Sequence, residues 1–493
     1  MPDAARVPVL VGVGTATRRE QDPLRALDPL ALMTEAARSA GTDSGAPGLL
    51  SRLDRILVPR GRWLHDNPGR AIGAAIGAPG AGSVLSTVGV LQQTLFGAAC
   101  AAIAAGEIRS ALVAGGDAGF RLLRARLAGV ELPALPEAEG EPDQLLAPKE
   151  ELRHPAELRA GLRMPVGLYA TMETAFRARH GWSVPEHRDR IAALYARFSA
   201  VAAANPEAWT RDALDAAAIR NPSERNAMQA FPYTKRLCSS WNVDQGAALL
   251  FCSEAEADAA GVPPDRRIYP WSSAESNHMV PVTARTELGS CPGARLAARA
   301  ALEPWGIGPA AIDLVDLYSC FPVAVETYAE AVGLDPGRDL TVTGGMSYGG
   351  GPYNNYVLQS TARMARLLRA GQGRLGLVST VSGVLTKQGF SLWSTERPGE
   401  GGFRWADVTA ATAAAVAEKP VRSDYAGPGR IAGYTVLHEP GRPPSAIAVV
   451  DLEDGARALA SSGDPAVIAA FEGDREFVGV ALEVENERFR LAA

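Results

Sequence analysis

The sequence lacks the features that mark disulfide-rich, membrane-spanning and nucleic-acid-binding proteins. Its five cysteines are scattered and form no C-x-x-C pair, which argues against a disulfide framework or a cysteine zinc site. The longest apolar stretch, "LFGAACAAIAAG", is too short to span a bilayer, and the amino terminus lacks the regions of a secretory signal. The net charge is only −6, and lysine and arginine form no run. We expect a cytoplasmic protein with no membrane or nucleic-acid partner.

Motifs for metals and nucleotides are missing as well. The six histidines form no H-E-x-x-H or similar pair, so the sequence predicts no metal site. The segment "GVGTAT" has two glycines of a dinucleotide fingerprint, but Thr17 stands where the third glycine or alanine is required. No Walker lysine follows a glycine-rich run, and we expect no permanently bound cofactor.

What the sequence does contain is an alternation of short β-branched or apolar runs with alanine-rich helical stretches. This alternation is typical of an α/β protein with a mainly parallel sheet. Residues 28–40 and 91–106 are predicted helices, and the second is apolar nearly all round, so it should be buried between layers. The alternation occurs twice, which predicts two similar halves. The predicted strands are "VPVLVGVGT", "DRILVP" and "SALVAGGDAG" in the first half, then "IDLVDLYSCF", "DLTVTGGM" and "LGLVSTVSG" in the second.

Changes of composition indicate further domains. Charged, helix-favouring segments predict an inserted loop domain, within which residues 133–151 are expected to form a mobile acidic loop. Three β-like runs near the carboxy terminus predict a small closed barrel. The predicted domains are 1–119 with 236–262 as the first half, 120–235 as the insertion, 263–397 as the second half, 398–427 as a linker and 428–493 as the barrel.

The segment "TVTGGMSYGGGPYNNY", residues 341–356, matches the G-x-S-x-G nucleophile elbow of serine hydrolases around Ser347. An elbow serine lies directly at the amino end of a helix, and its acid and histidine partners follow in the chain. Here the helix signal begins only at Asn354 and Asn355, and the single downstream histidine, His438, belongs to the predicted barrel. We therefore interpret the segment as a tight turn. Its extra glycines predict close approach of the backbone either to another part of the protein or to a ligand.

Several long segments, taken in order, resemble one family. They are "VPVLVGVGTATRR", "DPLALMTEAAR", "RIAALYARFSAVAAANPEAW", "PYTKRLCSSWNVDQGAALL", "DLYSCFP", "TGGMSYGGGPYNNY" and "GVLTKQG". With these segments the sequence resembles the thiolase superfamily, in particular the type 1 thiolase-like proteins of the sterol-carrier-protein group, often labelled acetyl-CoA acetyltransferases. The resemblance implies a five-layered α-β-α-β-α thiolase fold of two βαβαβαββ halves. It also implies a loop domain inserted in the first half and a small carboxy-terminal OB-like β-barrel.

The sequence departs from the family at all four catalytic positions. By the family's spacing, Val90 stands at the nucleophilic cysteine, and Gly351 replaces the histidine of Gly-His-Pro. Tyr318 replaces the histidine of His-Asp-Cys-Phe, and Ser379 or Ser382 replaces the last cysteine. A thiol nucleophile and its base supply many powers of ten in rate, so the resemblance implies no ordinary thiolase activity. It also implies an empty space beside Gly351, where the imidazole is missing.

The resemblance implies that these positions enclose a pocket for a coenzyme A thioester, as substrate or ligand. No metal is expected in it. Its lining is expected to be Val90, His278, Ser319, Gly350, Gly351, Asn354, Asn355, Ser379 and Ser382.

Three functions follow as alternatives from the resemblance. The first is binding of an acyl-CoA with acyl transfer, in which Cys320 is the candidate thiol. The second is a tyrosine-dependent retro-aldolase of a β-hydroxyacyl-CoA in lipid or sterol metabolism, for which Tyr318 and Tyr348 are the candidate catalytic groups. The third is a non-catalytic CoA-binding scaffold or subunit. An acyl-CoA is the expected partner, and the protein should be a monomer or a homodimer.

Overall fold

The computed structural model describes residues 3–136, 140–148 and 153–492. Within these ranges the strands are β1 Pro8–Thr17, β2 Arg55–Pro59, β3 Gly82–Ser86, β4 Ser110–Ala118, β5 Gln144–Leu146, β6 Met228–Ala230, β7 Tyr233–Thr234, β8 Asp244–Ser253, β9 Tyr269–Ser276, β10 Leu314–Asp316, β11 Leu375–Ser382, β12 Lys387–Ser394, β13 Arg404–Asp407, β14 Val421–Arg422, β15 Gly427–Leu437, β16 Ser445–Asp451, β17 Arg457–Ser462, β18 Ala481–Glu485 and β19 Arg488–Leu491.

The helices of the same ranges are α1 Pro29–Asp43, α2 Pro68–Ile76, α3 Gln92–Ala105, α4 Gly119–Ala128, α5 Pro155–Arg159, α6 Pro165–Arg179, α7 Val184–Ala204, α8 Ala216–Arg220, α9 Glu254–Ala260, α10 Pro292–Leu302, α11 Pro322–Val332, α12 Gly345–Tyr348, α13 Tyr356–Arg369, α14 Thr409–Ala415 and α15 Pro465–Phe471. No helix in the described part of the chain is both long enough and apolar enough to cross a membrane.

Two sheets with the same pairing pattern form the body of the protein. The first has the order β1-β8-β4-β2-β3-β5, and the second has the order β10-β11-β12-β9-β13. In the first sheet β8 runs antiparallel to both β1 and β4, and β4 runs parallel to β2. In the second sheet β12 likewise runs antiparallel to β9 and β11, and β11 runs parallel to β10. The predicted pair of similar halves is confirmed.

The sheets enclose a central helical layer made of α3 and α13, each of which contacts strands of both sheets. Helices α1 and α2 cover the outer face of the first sheet, and α10 packs on the outer face of the second. The apolar side chains around α3 explain its position, because Phe96 on this helix packs against Trp393 of the second sheet with ring centroids 5.4 Å apart. The buried helix and the five-layered fold are therefore confirmed.

The predicted strand "DLTVTGGM" is wrong. In place of a strand, its backbone is held by the buried carboxylate of Asp316, which follows Val315 at the end of β10. Asp316 Oδ2 accepts hydrogen bonds from the N–H of Val342 at 2.9 Å and of Thr343 at 3.2 Å, and from the hydroxyl of Thr341 at 2.9 Å. A side chain thus satisfies the polar groups that a neighbouring strand would otherwise have paired.

The segment expected as an acidic loop contains a short strand. β5 runs parallel to β3, with Leu145 opposite Leu85, and it extends the first sheet at that edge. Residues 137–139 and 149–151 of the expected loop lie outside the described residues. The consequence of β5 is that residues 84–86 of β3 are not an open sheet edge.

The carboxy-terminal strands form a closed five-stranded barrel, as predicted. The ring is completed by the pairings β15 with β16, β16 with β17, β17 with β19, β19 with β18, and β18 with β15. The barrel rests on α6 of the insertion, where buried Arg177 donates to both carboxylate oxygens of Glu476 and to the hydroxyl of Tyr434 at 2.9 Å. The expected linker is partly a strand, since β13 pairs with β9 in the second sheet.

The contact between the barrel and α6 depends on the absence of a side chain at Gly433. A Cβ atom at this position would lie 2.5 Å from the carbonyl oxygen of Thr171 in α6. Gly433→Ala should therefore lower the free energy of unfolding in urea by about 1–3 kcal/mol, the usual range for overpacking.

The matched control is Gly463→Ala, in the same barrel, because a Cβ at Gly463 meets no atom within 4 Å. Equal stability of the two variants would contradict a tightly docked barrel.

Candidate functional site

Val90 lies in the turn that joins β3 to the buried helix α3. It is half-buried and stands two residues before Gln92, the first residue of α3. The preceding residue, Gly89, has a φ of +106°, and its carbonyl oxygen accepts a hydrogen bond from Lys387 Nζ at 3.1 Å. The turn thus offers a side chain at the amino end of a helix, the place where a thiolate would be stabilised, but the side chain is a hydrocarbon.

The glycine-rich segment approaches another part of the protein rather than open space. A Cβ at Gly351 would lie 2.2 Å from Ser239 Oγ, and a Cβ at Gly350 would lie 2.1 Å from Gln245 Oε1. The N–H of Gly351 also donates to the carbonyl of Ser240 at 2.9 Å. The expectation of an empty space beside Gly351 is therefore wrong, because the segment 239–245 fills it.

Ser347 occupies the third position of the short helix α12, and α13 begins only after Asn355. Its hydroxyl donates to the carbonyl of Cys238 at 2.8 Å. His438, the single histidine downstream, contacts Glu472 within the barrel at 2.6 Å. This arrangement contains none of the geometry of a hydrolase elbow.

Tyr318 and Cys320 follow β10 and are both buried. The N–H of Tyr318 donates to Ser379 Oγ at 2.8 Å, and its ring packs edge-on against Tyr356 at 5.7 Å. Among the described residues, no hydrogen bond to the Tyr318 hydroxyl is formed. Burial raises the pKa of this hydroxyl, with smaller contributions from Cys320 and Tyr353. Tyr318 therefore keeps its proton and is suited to donate a hydrogen bond, not to act as a base.

The thiol of Cys320 is likewise held in its neutral form. Burial raises the pKa of Cys320 to about 12, although a hydrogen bond with Tyr169 opposes that shift. A neutral thiol is a poor nucleophile, so the geometry gives Cys320 no support as an acyl carrier.

Tyr348 contacts a different part of the protein from Tyr318. Its hydroxyl donates to the carbonyl of Arg236 at 3.1 Å, and its ring meets Tyr195 of α7 edge-on at 6.4 Å. Burial raises the pKa of Tyr348 as well. These contacts fix the glycine-rich segment against the insertion and leave the hydroxyl already bonded.

Asn354 and Asn355 lie between the two halves. Asn354 Nδ2 donates to the carbonyl of Arg60 at 3.2 Å. Asn355 is buried, and its side-chain oxygen lies 2.4 Å from the position that a Cβ at Gly115 would take. Neither polar atom of its amide has a hydrogen-bond partner in the part of the chain described. The first turn of α13 is instead capped by Gln92 Oε1, which accepts the N–H of Val357 at 2.7 Å. The amino ends of α3 and α13 therefore meet.

The other predicted lining residues divide into structural and accessible ones. Ser319 Oγ accepts the N–H of Met346 at 2.9 Å, and Ser379 is buried beneath Tyr318, so both hold loops in place. Ser382 and His278 are half-buried at the ends of β11 and β9. Nε2 of His278 is shielded from solvent and has no hydrogen-bond partner among the described residues, and its carbonyl accepts the hydroxyl of Thr386.

Sequence reasoning missed two ionisable groups next to the Val90 turn, Lys387 and Glu275. Lys387 is buried and reaches Gly89, as described above. Glu275, on the neighbouring strand β9, accepts hydrogen bonds from Thr94 of α3 at 2.9 Å and from Asn277 at 3.0 Å. Burial raises the pKa of Glu275 to about 7, and the charge of Lys387 partly opposes that shift. In the sequence, the signal for Lys387 was the lysine of "LTK", which places a charge at the start of a buried strand.

Stability should depend on the ionisation of Glu275. The folded protein holds this proton up to about pH 7, whereas the unfolded chain releases it near the ordinary value of 4.5, so the free energy of unfolding should fall as pH rises through that window. At about 1.4 kcal/mol per pKa unit, the effect is roughly 3 kcal/mol. Glu275→Gln removes this ionisation and should gain stability relative to wild type between about pH 5 and pH 8 in urea titrations.

The exposed substitution Glu303→Gln is the control, and it should follow the wild-type profile. Parallel profiles for wild type and Glu275→Gln would show that the carboxyl titrates normally.

Comparison with known proteins finds similar solved structures. No family model matches the chain, and no curated protein matches it. Among solved structures, a monomeric SCP2-thiolase-like protein type 1 from Mycobacterium smegmatis superposes with a TM-score of 0.82 at 28% identity and covers 100% of both chains.

Two further structures share the fold over 80% of this chain. An Ltp2-ChsH2(DUF35) aldolase has a TM-score of 0.59 at 18% identity, with 99% of that chain covered. Human mitochondrial 3-ketoacyl-CoA thiolase in complex with CoA has a TM-score of 0.53 at 14% identity, also with 99% of that chain covered. The full-length match, the paired sheets around a buried helical layer and the fused barrel agree with one another: the chain has the thiolase fold and is similar over its whole length to a thiolase-like protein of the sterol-carrier-protein type.

Proposed function

We propose that this protein binds an acyl-CoA thioester at the Val90 turn and has no ordinary thiolase activity. The proposal rests on two positions considered together. Val90 lies at the amino end of α3, and the backbone of Gly351 is packed against Ser239. The first position has no thiol, and the second has neither an imidazole nor room for one. The relationship to thiolases, one of which is described in complex with CoA, supports the choice of ligand.

Wild-type protein should bind CoA or acetyl-CoA in calorimetry but should not cleave acetoacetyl-CoA in the presence of CoA, nor condense acetyl-CoA. Val90→Glu should weaken CoA-thioester binding by about tenfold or more, equivalent to about 1.4 kcal/mol, because it places bulk and negative charge at the turn.

The control Val130→Glu, at an exposed position just after α4, should bind normally. Turnover by wild type would contradict the loss of thiolase chemistry, and equal binding by both variants would contradict the location of the site.

A retro-aldolase acting on a β-hydroxyacyl-CoA is the second candidate. It is supported by the protonated hydroxyl of Tyr318, which can donate to the thioester oxygen as an enolate develops, and by the relationship to an aldolase. Glu275, whose pKa is raised to about 7, and His278, which follows β9, are the proposed proton acceptors. Neither Cys320 nor Tyr348 takes part in this proposal, because their protons are held and their contacts are internal.

If this candidate is correct, Tyr318→Phe should lower kcat for cleavage by about 10²-fold, the usual effect of losing one oxyanion donor, while leaving CoA affinity unchanged. Ser347→Ala is the control, since its hydroxyl contacts only a structural carbonyl. Tight binding without cleavage of any β-hydroxyacyl-CoA would leave the non-catalytic scaffold as the function.

The related Mycobacterium smegmatis protein is described as monomeric, and β5 occupies the edge of β3 in this chain. We infer that this protein is a monomer rather than a homodimer, which sedimentation in solution would test. A role in lipid or sterol metabolism and a cytoplasmic location remain predictions from the sequence.

A further inference from the structure

Three side chains that commonly bind metals meet where the insertion contacts the second half. They are Glu173 of α6, His187 of α7 and Glu326 of α11, and one donor atom from each lies within 4.8 Å of the other two. The side chains of Glu173 and His187 are completely enclosed, and that of Glu326 is 14% exposed. This group lies apart from the Val90 turn, and the proposed function does not use it.

The donor atoms point toward one another. His187 Nε2 is 2.5 Å from Glu173 Oε1 and 3.9 Å from Glu326 Oε2. The hydroxyl of Tyr233 donates to the second oxygen of Glu173, and Trp182 stacks on the His187 ring at 5.4 Å and 15°. These contacts fix the positions of Glu173 and His187 before any ligand arrives.

Glu326 directs an unpaired oxygen toward this group. Its Oε2 atom, which faces His187, is shielded from solvent yet has no hydrogen-bond partner in the described part of the chain. No lysine or arginine among the described residues forms an ion pair with Glu173 or Glu326. Two ionised carboxylates enclosed together cost several kcal/mol unless positive charge or a shared proton compensates them, and a protonated His187 would offset only one of the two charges.

We propose that Glu173, His187 and Glu326 bind a divalent transition-metal ion of the zinc class. One imidazole nitrogen and two carboxylate oxygens form a donor set suited to Zn²⁺ or Co²⁺, whereas Mg²⁺ and Ca²⁺ prefer oxygen alone. Donor distances of about 2.0–2.2 Å from zinc require the hydrogen bond between His187 and Glu173 to open into two bonds to the ion. The ion would join α6, α7 and α11 and so hold the insertion, on which the barrel rests, against the second half.

The test uses the full chain, freed of metal by a chelator and titrated with ZnCl₂ in calorimetry and with CoCl₂ in visible absorption. Wild type should bind close to one equivalent, show d–d bands with Co²⁺ and gain thermal stability with Zn²⁺. Glu326→Gln keeps the size of the side chain but loses its charge. It should weaken binding by more than about tenfold and lose the thermal shift.

Glu330→Gln is the matched control, one turn further along α11, where Glu330 pairs with Arg179 at the surface. It should behave as wild type with both metals. Absence of Co²⁺ bands in wild type, or equal binding by wild type and Glu326→Gln, would overturn the site and leave a network held by protons alone. These readouts do not involve CoA, so they succeed or fail independently of the proposed function.

Discussion

The burial of α3 between the two sheets is the constraint on which the rest of the structure depends. The helix is apolar nearly all round, and its two glutamines at the amino end are used for contacts across the halves. Gln93 Nε2 contacts the carbonyls of Ala274 and Phe390 at 3.0 Å, while Gln92 caps α13. Because buried amides are costly unless paired, these contacts fix both the height of the helix and its rotation. They also fix where the Val90 turn lies relative to the second half.

The glycine-rich segment and the Val90 turn are both closely surrounded by other parts of the chain. The segment 239–245 packs directly on Gly350 and Gly351, so it leaves no space for a larger side chain there. The ionisable groups that remain near the turn, Lys387 and Glu275, come from β12 and β9 and lie beneath it. Two ionisable groups of the second sheet therefore approach the Val90 turn.

The barrel is connected to the same region by buried arginines. Arg457 of β17 donates to the carbonyl of Arg285, whose guanidinium bonds the carbonyls of Val280 and Val384. Val280 lies two residues after His278, and Val384 lies three residues before Lys387. The side chain of Arg285 therefore holds both the loop after β9 and the loop before β12. Burial lowers the pKa of Arg285 and no carboxylate bonds to it within the described ranges, so carbonyl acceptors must satisfy its donors. The position of the barrel is thereby linked mechanically to the loops beside Val90.

Sequence alone determined the elements whose signal is local. Alternating strands, the apolar helix 91–106 and the position of Val90 before that helix depend on residues close together in the chain, and most of their boundaries were predicted to within three residues. The strand predicted over 312–321 is an exception, because β10 ends at Asp316. The strand "DLTVTGGM" failed because its polar partner, Asp316, lies elsewhere in the chain. Only the tertiary structure could decide what fills the space beside Gly351, which charges approach the Val90 turn, and that Glu173, His187 and Glu326 meet. Each of these depends on contacts between distant segments, which no local pattern encodes, and burial in those contacts then sets the pKa and the chemistry of each group.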